Sequence, residues 1–329
     1  MNCFAPVAGL VEQAVKNNSE NKMTKSAQEY LLACRNICTL LPIMRILFAL
    51  VIFISCLFST PAIAQEEPQS TQKPLIHPQK TQIHGLTQSG LGTVTKVIDP
   101  LRLEIDHKHI VQLTSIDFPD FDIYDSGPLS VHAHEMMIDM LLNKQVRYYQ
   151  KQDKKADGYT NRMGYKLVHL VRRDDNLWIQ GFFVANGIAR VRPSINNTET
   201  AEELMALENA AREEKTGLWA DPAYAVLTPQ TAEQAIGHWG IIEGQIKTIG
   251  TAQNKIYMNF GDNWRNDFTI GIESQVRRAF SKRGIDLLSI SGKNIRVRGW
   301  VENYNGPYVN LMAPIWLEII HNEPSEMLP

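Results

Sequence analysis

Basic and aromatic side chains interleave in one stretch toward the C-terminal end of the chain. Arg296 and Arg298 are two residues apart and share one face if Asn294–Val301 is a strand, with Ile295 and Val297 on the other. Cations interleaved with stacking groups are what a single-stranded nucleic-acid platform requires. Tyr257, Trp264, Arg296, Arg298 and Tyr308 are therefore the candidate ligand-binding residues. The competing reading makes Phe260, Phe268 and Trp300 barrel core and the arginines a solvated face. Residues 236–322 hold 10 Lys+Arg against 7 Asp+Glu, a field too weak to argue for tight nucleic-acid binding by itself.

Other constellations could do chemistry. His107-Lys-His109 would place two imidazoles on one face of a strand, as a metal pair or as solvated histidines. His132-Ala-His134 would not, because residues two apart on a helix point away from each other. Asp120, Asp122 and Asp125 form an acidic loop, either cation-binding or solvated. Lys151 to Lys155, with Arg162 and Lys166, reads as a phosphate-attracting patch or as a solvated hairpin loop.

The elements that must position these residues are mostly short strands. Gly92–Ile98, Leu101–Ile105 and His109–Asp117 alternate as strands, with a turn at Asp106–His109. Leu129–Leu142 carries apolar residues at helical spacing, and Val146–Gln150 and Lys166–Val171 read as strands. Leu177–Asn186 is a predicted helix closed by Gly187. Thr200-Ala-Glu-Glu203 predicts a capping box opening a helix that ends at Gly217. Further on, 240–249, Lys255–Phe260, Phe268–Ile272, Asn294–Val301, Tyr308–Leu311 and Ile315–Ile320 read as strands, with a helix over Ser274–Lys282. Strands with an interposed helix fit an OB-fold twice.

The 329 residues are 44% hydrophobic and 21% charged with a formal net charge of -2, which excludes a disordered chain and a generally basic nucleic-acid coat. All four cysteines, Cys3, Cys34, Cys38 and Cys56, precede Gln65, so the body tolerates an oxidising compartment without mispairing. Residues 46–64 are uncharged and mostly apolar, follow Arg45 and end in Pro61-Ala-Ile-Ala64. This predicts a secretory signal peptide over 44–64, or a membrane anchor over 46–64 if uncleaved. The expected layout has a 1–43 extension upstream of the true start and a flexible linker over 65–85. A first domain follows at 86–228, a connection at 229–235, a second OB-like domain at 236–322 and a tail at 323–329. The fold class is β-rich α+β, two tandem OB-fold-like β-barrels after an N-terminal signal peptide, in an exported periplasmic or secreted protein.

Five stretches occur in register: Val94-Thr-Lys-Val-Ile-Asp99, Val111-Gln-Leu-Thr-Ser-Ile-Asp-Phe-Pro-Asp120, Asn161-Arg-Met-Gly-Tyr-Lys-Leu-Val-His169, Asn186-Gly-Ile-Ala-Arg-Val191 and Glu214-Lys-Thr-Gly-Leu-Trp219. In these the chain resembles the staphylococcal-nuclease-like, or thermonuclease, domain family. The resemblance implies an OB-type barrel and calcium-assisted phosphodiester hydrolysis, in which two aspartates hold the metal, a glutamate activates water and two arginines bind the phosphate. The chemistry asks for such parts: a hard cation needs several anionic oxygens, and charge growing on phosphoryl oxygens needs positive clamps.

Position by position, the match is incomplete. The family's Asp-Gly-Asp-Thr motif meets Asp99-Pro-Leu-Arg-Leu103, a shorter loop without the metal-binding aspartate. The first phosphate arginine falls on Gln112. The second metal aspartate is kept as Asp117 and the glutamate becomes Asp120. The second arginine falls on Tyr165, or on Arg162 if a gap is allowed. The expectation is a nuclease fold without the nuclease reaction, acting as a binding or scaffold module on single-stranded nucleic acid or another envelope polymer, with no cofactor. The alternative is an active secreted calcium-dependent phosphodiesterase using Asp117, Asp120 and Arg162, with Asp117 on the metal. Without a metal, Asp117 reads as a strand-end aspartate capping its own turn before Pro119.

Overall fold

A computed structural model describes residues 75–79, 83–151, 159–263 and 265–320. The expected extension, the signal or anchor over 44–64, most of the linker, Trp264, most of the Lys151–Lys155 patch and the tail lie outside the described residues. No helix among the described residues is long and apolar enough to cross a membrane.

The elements run β1 (Thr87–Asp99), β2 (Arg102–Ile105), β3 (His109–Leu113), β4 (Ser115–Asp117), α1 (Pro128–Leu141), β5 (Gln145–Gln150), β6 (Lys166–Arg172), α2 (Ile179–Ala185), β7 (Arg190–Arg192) and α3 (Ala201–Glu213). The second half adds β8 (Trp239–Gln245), β9 (Thr248–Ala252), β10 (Lys255–Asn259), β11 (Thr269–Ile272), α4 (Ser274–Lys282), β12 (Asn294–Asn303), β13 (Pro307–Leu311) and β14 (Leu317–Ile320). The fold is β-rich with helices interposed, as the sequence predicts.

β1, β2, β3, β6 and β5 close into a barrel, with β3 and β6 parallel. The long β1 serves two neighbours: Thr87–Thr93 pair with β5 and Val94–Asp99 with β2. Gly90 permits the bend, because a Cβ there would lie 2.0 Å from the Tyr148 ring. The second half is a seven-stranded sheet. Its pairings repeat the order of the first: β8 pairs with β12, β9 with β10, β10 with β11, β11 in parallel with β13, and β13 with β12. β8 and β9 together thus take the part of β1, interrupted at Ile246 and Lys247. A single strand over 240–249 was the expectation; the backbone breaks there because Ile246 turns inward to full burial and donates to the Lys293 carbonyl.

The described residues form one compact unit with a contiguous apolar core running through both sheets. Two expected loose segments are packed. Ile76, inside the predicted tether, exchanges two hydrogen bonds with the Asn186 side chain, at 2.8 and 2.9 Å. In the 229–235 connection, Ala232 and Ala235 are buried. The predicted capping box does not form. Thr200 adopts a left-handed backbone (φ 64°) and its hydroxyl meets His169 Nε2 at 3.1 Å instead of capping α3. α3 also ends at Glu213, short of Gly217.

The two sheets are joined by a buried ion cluster. Arg298 on β12 is fully buried and donates to Glu208 on α3 at 2.9 Å, to Glu318 on β14 at 2.8 Å and to the Val191 carbonyl on β7 at 3.2 Å. Burial opposes its charge, but Glu208 and Glu318 outweigh burial and raise its pKa. Removing one partner leaves an uncompensated buried charge. Arg298→Ala is expected to cost about 3–5 kcal/mol, read as a lower urea midpoint, and the Glu208→Gln/Arg298→Met pair is expected to recover part of that loss.

His169 on β6 is buried, accepts from Trp178 Nε1 at 3.2 Å and is held neutral, its pKa pushed by burial from 6.5 down to about 3. The unfolded chain therefore binds a proton that the folded chain refuses. This contribution to stability is complete above pH 6.5 and is lost as pH falls from 6.5 toward 3, at about 1.4 kcal/mol per unit. Urea titrations across that range should show a steeper decline for the wild-type chain than for His169→Gln.

Candidate functional site

The site begins with strand register. β4 and β7 pair antiparallel, with Ser115 opposite Arg192, Ile116 opposite Val191 and Asp117 opposite Arg190. Alternation then puts Arg190 and Arg192 on one face of β7, directly and diagonally across from Asp117. Arg190 Nη2 donates to Asp117 Oδ2 at 2.8 Å and Arg192 Nη1 to Asp117 Oδ1 at 3.1 Å. Both carboxylate oxygens hold a guanidinium, so Asp117 does not merely cap its own turn.

The second sheet closes over this pair. The Arg192 guanidinium stacks on the Trp239 ring of β8 at 4.9 Å, and Arg190 Nη1 donates to the Trp239 carbonyl at 3.3 Å. Trp239 meets Trp316 edge to face at 4.9 Å, and Trp316 Nε1 donates to the Pro193 carbonyl at 2.8 Å. What remains is a cleft of about 460 Å³ lined by Asp117, Arg192, Gln112, Asn161 and the two tryptophans, among others. Trp239, which lines it, has its Nε1 buried without a hydrogen-bond partner among the described residues, as is Arg190 Nε behind Asp117.

The other predicted positions hold structural contacts. Asp120 binds the start of α1: its carboxylate accepts from Leu129 N at 2.8 Å, Ser130 N at 3.0 Å and Ser130 Oγ at 2.5 Å. That arrangement follows from the free N–H groups of a helix start. Asp99 accepts from the backbone of Leu101 and Arg102 and pairs with the Arg102 guanidinium. Gln112 Oε1 accepts from Asn161 Nδ2 at 2.9 Å, and Asn161 Oδ1 accepts from the backbone of Met163 and Tyr165. Arg162 is exposed in the turn that these bonds close. It is not among the residues lining the Asp117 cleft.

Calcium does not fit this donor set. Asp117 is neutralised by two cations, Asp99 has spent its oxygens on backbone N–H groups and the Arg102 guanidinium, and Asp120 on the N–H groups and the Ser130 hydroxyl at the start of α1. A hard cation needs several free anionic oxygens. Among the described residues no group of three or more His, Cys, Asp or Glu side chains is placed to hold a metal. The acidic loop turns on itself, with Asp122 Oδ1 accepting from Tyr124 N and Asp125 N. His107 sits at a left-handed turn position and pairs with Glu104, while His109 contacts Tyr148, so the two imidazoles do not converge.

The predicted arginine–aromatic platform is also redistributed. Arg296 and Arg298 share a strand face, but that face meets α3 and β14. Arg296 donates to Glu243 at 2.9 Å and to Asn209 at 3.1 Å. Arg298 is wholly buried. Charge on a strand implies solvent only when nothing packs on it, and here another element does. Tyr257 and Tyr308 lie elsewhere, along an open hollow of the second sheet. Phe260 and Phe268 are core, whereas Trp300 is half exposed.

Sequence reasoning missed Arg190, Arg192, Trp239 and Trp316. The Arg190-Val-Arg192 alternation was a signal that two cations share a strand face. Nothing local said that Asp117 would lie opposite.

A five-stranded barrel closed through one parallel pair, with a separate β4–β7 ladder carrying Asp117, defines an OB-type nuclease-like fold. Residues 110–221 match the family described as staphylococcal nuclease homologue, and it is to that domain that this stretch is similar. The match opens at Ile110 within β3 and therefore leaves out the Asp99 turn, where this chain departs most from the family motif. No curated protein matches the chain.

Removing the Asp117 carboxylate strands two guanidiniums, one of them largely buried. Asp117→Ala is expected to lower stability by about 1–3 kcal/mol. Arg192→Ala should cost less, since Arg192 is 43% exposed. Chemical denaturation of both variants checks the order.

Proposed function

We propose that this chain is an exported nuclease-fold protein that has lost phosphodiester hydrolysis and works as a binding or scaffold module of the periplasm or cell envelope. The observation that carries the reading is the double ion pair on Asp117. A carboxylate holding two guanidiniums has no capacity left for a divalent cation, and guanidiniums holding a carboxylate are not free to clamp a phosphoryl group. Export rests on the apolar run at 46–64 and the cysteine-free body.

Binding, as distinct from cutting, is what the cleft retains. Trp239 Nε1 lacks an acceptor among the described residues, and Arg192 is partly open to solvent. Unpaired buried donors favour a ligand rich in acceptor oxygens. A nucleic-acid strand or another polyanionic envelope polymer meets that requirement.

The test is hydrolysis. Single-stranded and duplex DNA incubated with the chain at about 10 mM calcium, well above the weakest extracellular calcium sites, are expected to remain intact. Calcium at that level is also expected to leave the thermal midpoint unchanged, because no bound metal favours the folded state. Calcium-dependent cleavage that disappears in a folded Asp117→Asn variant would reinstate the active phosphodiesterase.

A further inference from the structure

The second sheet carries a second candidate site, independent of the Asp117 cleft. Register aligns two rows of residues on one face of β9, β10, β11 and β13. Thr248, Asn259, Thr269 and Tyr308 form one row, and Gly250, Tyr257, Gly271 and Asn310 the next. Within each strand the two members are two residues apart and so point the same way. The opposite face holds Ile256, Met258, Ile270, Ile272, Val309 and Leu311, which are buried core. None of the eight residues on the outward face is charged.

The face is hollowed, not flat. Tyr308 lies across Gly271, where a Cβ would come within 1.7 Å of the tyrosine oxygen, so the ring forms the floor only because residue 271 is glycine. Tyr304, on the turn between β12 and β13, stands edge-on to Tyr308 at 5.4 Å and is 60% exposed, giving an aromatic wall. Beside Gly250 the space is open. The hollow encloses about 410 Å³, within the ordinary range for small-ligand sites.

Its polar groups are held in place. Thr269 Oγ1 donates to Asn259 Oδ1 at 3.2 Å, and Asn259 Nδ2 donates to Thr248 Oγ1 at 3.3 Å. The cation beside Tyr257 and Tyr308, Lys255, is paired with Glu273 at 2.5 Å.

We propose that this hollow binds an uncharged oligosaccharide. Sugar rings present apolar C–H faces to stack on tyrosine and hydroxyl or amide edges to meet Asn and Thr, and need no counter-charge. A nucleic-acid strand would stack equally well but requires cations along its backbone, and the lining supplies none. OB-type sheets bind both polymers on a face of this kind, so the lining chemistry decides between them.

Calorimetric titration of the full-length chain with chitohexaose, cellohexaose and an oligothymidylate tests the assignment. One hexasaccharide is expected to bind with a dissociation constant below about 1 mM, unchanged between low and high salt. Tyr304→Ala and Tyr257→Ala should each weaken that binding about tenfold. Tyr304 is exposed, so its removal leaves the fold intact, and Tyr124→Ala on the first domain should change nothing. Absence of binding by both hexasaccharides overturns the proposal. So does saccharide binding that survives both substitutions. Binding of oligothymidylate alone, weakening with salt, assigns the hollow to nucleic acid instead.

Discussion

The guanidinium of Arg298 is the fixed point of this molecule. It lies in the second sheet, has no exposure, and reaches α3, β14 and the backbone of β7 in the first domain. Glu208 completes the link, because its other oxygen accepts from Val191 N at 2.7 Å. β7 is only three residues long, and its middle residue is thereby pinned through both its carbonyl and its N–H. Alternation then determines where the flanking residues go: Arg190 and Arg192 stand on the same face of the β4–β7 ladder as Asp117. The joining of the two sheets and the neutralisation of Asp117 are thus one arrangement seen from two sides of a strand.

That arrangement is electrostatically costly. Two charges taken out of water recover their desolvation only with good geometry and further hydrogen bonds. Here Arg298 has two carboxylates and a carbonyl, yet its Nε lacks a partner among the described residues. Nearby Arg212 is half-buried, and burial lowers its pKa. A wholly apolar interface would hold two sheets together with less strain on charge. What the ions add is uniqueness: an apolar seam could slide, whereas a guanidinium with three acceptors in fixed directions sets one orientation of β12 against β7.

Much of the architecture was legible along the chain. The barrel strands, α1, α4 and the Gly187 helix stop follow from period and from glycine, which are local properties. The site was legible in composition but not in partnership. Asp120 was visible as a carboxylate three residues after Asp117, yet its role depends on α1 starting at Pro128, across a loop. Thr200 looked like a cap because Glu203 follows it at the right spacing, but a buried histidine from β6 claimed its hydroxyl. Arg296 and Arg298 alternate as a solvated face would, and only the docking of α3 shows otherwise. In each case the deciding atom comes from a distant element, and spacing carries no record of it.

The family positions have not simply decayed into solvent. Asp99 holds its own turn, Asp120 holds a helix start, and Gln112 holds Asn161, which in turn closes the loop carrying Arg162. Asp99 and Asp120 satisfy backbone donors that would otherwise go unpaired, and Gln112 steadies the Asn161 side chain that does the same. Restoring a metal ligand or a phosphate arginine at one position would therefore remove a structural hydrogen bond while leaving Arg190 and Arg192 on Asp117. The reaction would also need a cleft free of Trp239 and Trp316, and those side chains come from the sheet that Arg298 locks in place. A metal-binding arrangement at Asp117 would demand release of the second sheet, so the ion pairs on Asp117 and the packing of that sheet are bound to each other by the same buried charge.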